Sequence, residues 1–411
     1  MKVLLINSCH YRRGGADVVY LNTGELLEKN GHNVIYFSQK DKKNINSYNP
    51  EHFIKNIDFL TTSWVQKIIH VPRFFFSVEA LLKLTRLIRK ERPDFAHVHL
   101  YKGVLTPSIL LALKKNKVPV VITLHDFQLL CPHYTFLDSE KNICESCING
   151  NSFNCVIKRC NHNSFIYSLF SYLEYNFSKY IFPPRIYFSR LIFVSNFSLM
   201  KHKDSTRINS NSECIYNFSP DMYPGNQHYN KGTYFLFYGR FVKEKGIETL
   251  ISAWLLKKRK TNLKIVGEGP MRNDYLKMTG GINKNIEIMD SLQGEQLSKI
   301  IENASFIVVP SEWYENNPMT IIEAYSYGKP VIAAKTGGIP EMVVENYTGY
   351  LFEARNTYEL SEVIEKAESI TLGEYSILAG NSRELYESRF SEEVHYNKLL
   401  KAYRSACNIN I

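Results

Sequence analysis

Long uncharged apolar runs are missing from this sequence. Nothing in its 411 residues approaches the ~18 such residues that a membrane-spanning helix needs. The N-terminal MKVLLINSCHYRRGG offers a four-residue apolar run and then turns polar, too short for the apolar segment of a secretion signal. The expectation is a cytoplasmic chain, free or peripheral on the inner membrane face, whose eight cysteines are not disulfides. An Asp-x-Asp pair of the kind that holds a catalytic divalent metal is also absent, as is any short internal repeat. Disorder is excluded by the balance of 44% apolar against 22% charged residues.

Positive charge is in excess, with 50 Lys and Arg against 40 Asp and Glu, a net +10 that favours anionic partners. Short apolar runs (VLLIN, NVIYF, DFAHVHL, VVITLHD, RLIFVSN) alternate with segments of helical period, the pattern of a parallel sheet covered on both faces. An Asn-, Pro- and Gly-rich break at 217–232 follows. The alternation then restarts with YFLFYGR, LKIVGEG, IEIMDS, FIVVPSE, PVIAAKTGG and TGYLFE. The fold class is α/β, two doubly wound Rossmann-like domains with a cleft between them, at 1–217 and 218–390. SEEVHYNKLLKAYRSA, within a terminal segment 391–411, reads as a helix capped by Ser391.

The stretch WYENNPMTIIEAYSYGKPV follows a strand and starts a helix, with Asn317 suited to the cap and Pro318 to the first helical position. The amides of Met319 and Thr320 would face an anion. Glu315 and Glu323 would repel that anion, so they are better placed to accept hydrogen bonds from hydroxyls on either side of it. A nucleotide sugar has that layout: sugar diol, diphosphate, ribose diol. Read alone, the two would be a solvated loop acid and a first-turn helix acid. In GRFVKEKG, Arg240 and Lys245 stand between a strand end and a helix, as a diphosphate clamp would. Gly267 of VGEGP, Gly337 and Gly338 of KTGG, and Gly14 and Gly15 permit close backbone approach, though turns use glycine freely.

Together GRFVKEKG, VGEGP and PSEWYENNPMTIIEAYSYGKPVIAAKTGGIPE, in this order and spacing, resemble the retaining family 4 glycosyltransferases of GT-B fold, over nearly the whole chain. The resemblance implies that Glu323 binds the ribose and Glu315 the sugar hydroxyls. Arg240 and Lys245 would hold the departing diphosphate beside Gly239, Gly267 and the segment Asn316, Asn317, Pro318, Met319, Thr320. Gly14 and Gly15 would approach the diphosphate from the first domain. Ser291 and Leu292 would meet the base, where the family often has a glycine that this chain lacks. The terminal helix would return to the first domain. His125, ending the TLHD strand, matches a functional histidine of the family; read alone it is a structural strand-end histidine. Catalysis would be metal-free and front-face, resting on positioning and on cations at the leaving group. The donor would be a UDP-sugar first and a GDP-sugar next, the acceptor a glycan or lipid-linked glycan of bacterial surface polysaccharide synthesis, with no nucleic acid bound.

A cysteine-rich insert, 131–163, holds Cys131, Cys144, Cys147, Cys155 and Cys160, four of which could bind a structural zinc; an iron–sulfur cluster or unligated thiols are the competing readings. His97 and His99 share one strand face, a weaker metal pattern without acidic partners nearby. FIYSLFSYLEYNFSKYIFPPRIYFSR interleaves aromatics with Lys and Arg, which suits either a membrane interface or a packed helix, and VEALLKLTRLIRK poses the same choice. Rival functions are a zinc-bearing nucleic-acid-binding protein, a GT-B fold sugar-nucleotide epimerase, and a phosphorylase, for which no local pyridoxal lysine is evident.

Overall fold

The computed structural model describes the chain except residues 47–49, 57–71, 149, 206–207, 209–210, 223–229, 281–284 and 408–411, so the middle of the expected 217–232 linker and the last four residues lie outside it. The chain forms two compact units. One comprises Met1–Glu140, Cys144–Ile215 and His395–Ile411, the other Lys141–Ile143 and Tyr216–Val394.

The first unit is built on strands β1 (Lys2–Ile6), β2 (Asn33–Phe37), β3 (Phe95–Val98), β4 (Val120–Leu124), β5 (Arg190–Phe193) and β6 (Ser212–Cys214). They pair in parallel in the order β2-β1-β3-β4-β5-β6. Parallel strands are covered on both faces, which is why KVLLI and VVITL are apolar throughout instead of alternating. Successive side chains still part to opposite faces. Leu4 and Ile6 join the Val78–Glu91 and Ser108–Lys115 helices, while Val3 and Leu5 pack with the Gly15–Lys29 helix and with Leu399, Ala402 and Tyr403 of the terminal helix, Glu392–Ala406. The Val78–Glu91 helix buries Ala80, Leu84, Leu87 and Ile88 and is capped by Ser77, so of its two readings the packed one is realised.

The second unit carries β7 (Tyr234–Tyr238), β8 (Asn262–Val266), β9 (Ile286–Met289), β10 (Ala304–Val309), β11 (Val331–Ala334) and β12 (Gly349–Phe352), ordered β12-β11-β10-β7-β8-β9 and again all parallel. Its core gathers Phe235, Phe237, Trp254, Ile265, Phe306 and Ile332. Winding reverses between β7 and β10, and in sheets of this kind ligands bind beyond the carboxyl ends of the strands at that reversal.

Candidate functional site

Tyr238 of β7, Val266 of β8 and Met289 of β9 are in register, so the loops bearing Gly239–Arg240, Gly267 and Ser291–Leu292 all leave from one edge of the second sheet. Gly267 (φ 156°) has no room for a side chain: a Cβ there would lie 1.9 Å from the Gly239 carbonyl oxygen. The close approach that this glycine permits is therefore between two strand-end loops.

Segment 238–245 is tied at both ends to the two glutamates. At its start the Tyr238 hydroxyl donates to Glu323 Oε2 (3.0 Å) and lies 3.1 Å from the Thr320 carbonyl oxygen. Burial, then the neighbouring Glu323, pushes the Tyr238 phenol well up, which keeps it a donor. At its end Lys245 Nζ lies 2.5 Å from Glu315 Oε1, which also accepts from Trp313 Nε1 (2.8 Å) and Ser311 Oγ (2.9 Å). Burial works to raise the Glu315 carboxyl, but the Lys245 charge and these hydrogen bonds outweigh it and the net shift is downward. Arg240, between the two ties, is exposed and meets no carboxylate among the described residues. Glu315 and Lys245, which the sequence suggests as separate clamps, are thus one ion pair. Tyr238, Ser311 and Trp313 are additions to the expected set; Ser311 and Trp313, four and two residues before Glu315, are its local partners.

The helix start differs from expectation. Pro318, with extended backbone (φ −65°, ψ 123°), is the cap, Met319 is the first helical residue, and no side chain caps the Met319–Ser326 helix. Asn317 is not the cap because its carboxamide is engaged elsewhere. Its Oδ1 accepts from the Asn217 amide (2.7 Å), and its Nδ2 lies 3.1 Å from Met342 Sδ. The first-turn amides are left without a side-chain partner, which suits an anion more than a capped turn would. Asn316 is buried beside Asn317. The KTGG glycines serve Glu315: Gly337 (φ 57°) would place a Cβ 2.2 Å from the Glu315 carbonyl oxygen, and the Gly338 amide donates to that oxygen at 2.7 Å.

In the first unit, Gly14 precedes the Gly15–Lys29 helix with extended backbone, and the nearest atom to a Cβ would be Asp17 Oδ2 at 3.9 Å. The chain itself leaves that space open. His125, just past β4, bonds through Nε2 to His99 Nδ1 (2.9 Å), the rings stacked at 5.2 Å. Burial, then His395, lowers the His125 pKa to about 3, so the ring is neutral. His97 bonds the hydroxyls of Tyr403 (2.7 Å) and Thr123 (2.8 Å), which commits both of its nitrogens and leaves neither for a metal.

Cys147, Cys155 and Cys160 are buried against one another, and Cys131 is buried within electrostatic reach of Cys147 and Cys160. Cys144 points instead to Ser146 (3.4 Å) and Lys158 (3.2 Å). Among the described residues, no three His, Cys, Asp or Glu are arranged to hold a metal ion, so no chemistry is derived through zinc.

Comparison with known proteins matches residues 13–148 to the model of Glycosyltransferase Family 4 and residues 220–385 to that of Glycosyl transferases group 1. An uncharacterised glycosyltransferase of Methanocaldococcus jannaschii is 33% identical over 181 residues, 43% of this chain and 49% of that protein. A lipopolysaccharide 1,2-N-acetylglucosaminetransferase of Salmonella typhimurium is 29% identical over 35% of this chain and 45% of its own. The chain thus spans about half the length of these curated relatives. The structure of Anabaena HepE in complex with UDP and glucose superposes with a TM-score of 0.68 at 15% identity, over 98% of this chain and all of that one, a likeness of fold. With both family segments in order on two doubly wound sheets, the chain belongs to the GT-B glycosyltransferases.

Proposed function

We propose that the chain transfers a hexose-type sugar from a nucleoside-diphosphate donor, a UDP-sugar before a GDP-sugar, to a glycan or lipid-linked acceptor with retention at the anomeric carbon. The observation that carries this reading is the segment 238–245, tied to Glu323 at one end and Glu315 at the other beside an uncapped helix start. Glu323 takes the ribose hydroxyls and Glu315 the sugar hydroxyls. Arg240 and Lys245, with the amides of Met319 and Thr320, stabilise the charge that grows on the departing diphosphate. Lys245 reaches that charge by sharing or leaving Glu315, so donor binding and the ion pair are coupled. His125, neutral and fixed by His99, positions sugar or acceptor, and Gly14 and Gly15 give the diphosphate a close approach.

A role in bacterial surface polysaccharide synthesis, at the cytoplasmic face of the membrane, extends this reading; it is supported by the likeness to a lipopolysaccharide transferase. The cysteine insert serves structure. Zinc there requires the thiols to draw together, which metal analysis of the purified protein tests. A thermal-shift series with nucleotide sugars tests the donor, since binding to the native state raises its apparent stability. No shift with any of them, alongside a salt-dependent gel shift with nucleic acid, would replace the reading.

A further inference from the structure

One side of the helix Phe165–Ile181 is built inside out. Its buried residues, Ser168, Ser171, Glu174, Tyr175 and Ser178, recur at helical spacing and are mostly small or polar. Each polar one is satisfied: Ser168 Oγ accepts from the Asn161 amide (3.0 Å), Ser171 Oγ from Asn161 Nδ2 (2.9 Å), and Ser178 Oγ donates to Glu174 (2.7 Å), which pairs with Lys102 (3.4 Å). Phe170 and Phe177 pack against Phe75 at the flank, but the side opposite the serines is apolar and turned outward. Ile166 (63% exposed), Leu173 (43%) and Tyr180 (69%) stand at seven-residue intervals on one face, extended by Phe165 and Ile181. A helix in water presents the reverse arrangement.

From the geometry we infer that this face lies in the interface of an anionic membrane. Charge selects this occupant: between residues 154 and 190 the sole acid, Glu174, is buried, and of the five basic residues Arg190 pairs with Glu213 and Lys158 bonds Cys144, while Arg159, Lys179 and Arg185 meet no carboxylate among the described residues. Lys179 sits over the Tyr180 ring at 5.0 Å, an aromatic–cation pair suited to the headgroup level. A second copy docked by the same face would set these cations against their own images. The helix, about 26 Å long at ~1.5 Å per residue, lies along the surface, since no helix among the described residues is long and apolar enough to cross. The inference deepens the proposed membrane-side role by naming the surface that performs it.

Flotation of the full chain with phosphatidylcholine vesicles, with or without phosphatidylglycerol, tests it. We expect binding to the anionic vesicles that weakens with salt, about tenfold weaker in the variant Ile166→Ser/Leu173→Ser/Tyr180→Ser/Ile181→Ser. Lys179→Glu/Arg185→Glu should lose the preference for anionic lipid. The nucleotide-sugar thermal shift is read on the same proteins: retained in the variants, it shows that they are folded and that the donor site is separate. Vesicle binding without any nucleotide-sugar shift would sink the donor reading and leave the surface standing. Wild-type protein that ignores anionic vesicles, a serine variant that floats equally well, or a wild-type dimer in light scattering that the variant dissolves would each overturn the membrane assignment.

Discussion

Glu315 holds Lys245 and, in the function proposed, also receives substrate, and two substitutions separate these duties. Glu315→Gln keeps the shape and the Trp313 and Ser311 contacts but removes the charge. Transfer should fall by about 10²-fold, on the scale of one lost polar contact to the reacting centre. Glu315→Ala leaves the half-buried Lys245 without its partner and should cost about 2 kcal/mol in chemical denaturation. Equal stability of the two variants would refute the structural half of this account. Glu323→Ala should weaken nucleotide binding about tenfold, the loss of a charge-assisted pair of hydrogen bonds, measured by calorimetric titration.

Gly337→Ala belongs to the same scale. A methyl group 2.2 Å from the Glu315 carbonyl oxygen, on a backbone at φ 57°, must displace the loop that aims Glu315. The expected result is transfer reduced about as far as in Glu315→Gln, and an unaltered kcat would show that the loop tolerates the shift. None of this pairing could be read from the sequence, because Glu315 and Lys245 lie 70 residues apart and local spacing carries no sign of their contact. What was legible, the glycines and both glutamates, was legible as residue type and strand-end position.

At the scale of elements, apolar runs located every strand except β6. Ser212–Cys214 is only three residues, all partly exposed, and such a strand has no periodicity to detect. The start of the Met319–Ser326 helix was misplaced by one residue because the true partner of Asn317, the Asn217 backbone, is 100 residues away. The Phe165–Ile181 helix is the converse case: its aromatic and basic composition was visible, but which face it would bury was decided by contacts, Asn161 just ahead of it and Lys102, 72 residues from Glu174. The terminal helix completes the first unit through Leu399, Ala402 and Tyr403, the last lying 4.3 Å from the Phe95 ring. A chain ending at Phe390 should therefore aggregate or lose cooperative unfolding. A soluble truncated chain with a wild-type unfolding midpoint would contradict this packing.

For the whole molecule, acid should act through the first unit. Burial, followed by the neighbouring histidines, lowers the pKa of His97 and His125 to about 3 and holds that of His99 well below its ordinary value. Folded, these rings stay neutral; unfolded, they bind protons from about pH 6.5 downward. Stability is therefore unaffected above pH 6.5 and lost as pH falls from there towards 3, by up to about 1.4 kcal/mol per unit for each histidine. Denaturation midpoints at pH 7.5 and 5.5 should differ, and His97→Gln should flatten the slope by about one proton; a pH-independent midpoint would refute the burial of these rings.

The order in which the chain is made gives the terminal helix a further consequence. Residues 1–215 leave the ribosome before Leu399, Ala402 and Tyr403, which share with the Gly15–Lys29 helix the covering of Val3, Leu5, Phe95 and Val121, have been translated. Part of one face of the nascent first sheet must therefore wait, greasy and uncovered, through the synthesis of the entire second unit. Chaperone demand during expression should be set by that interval.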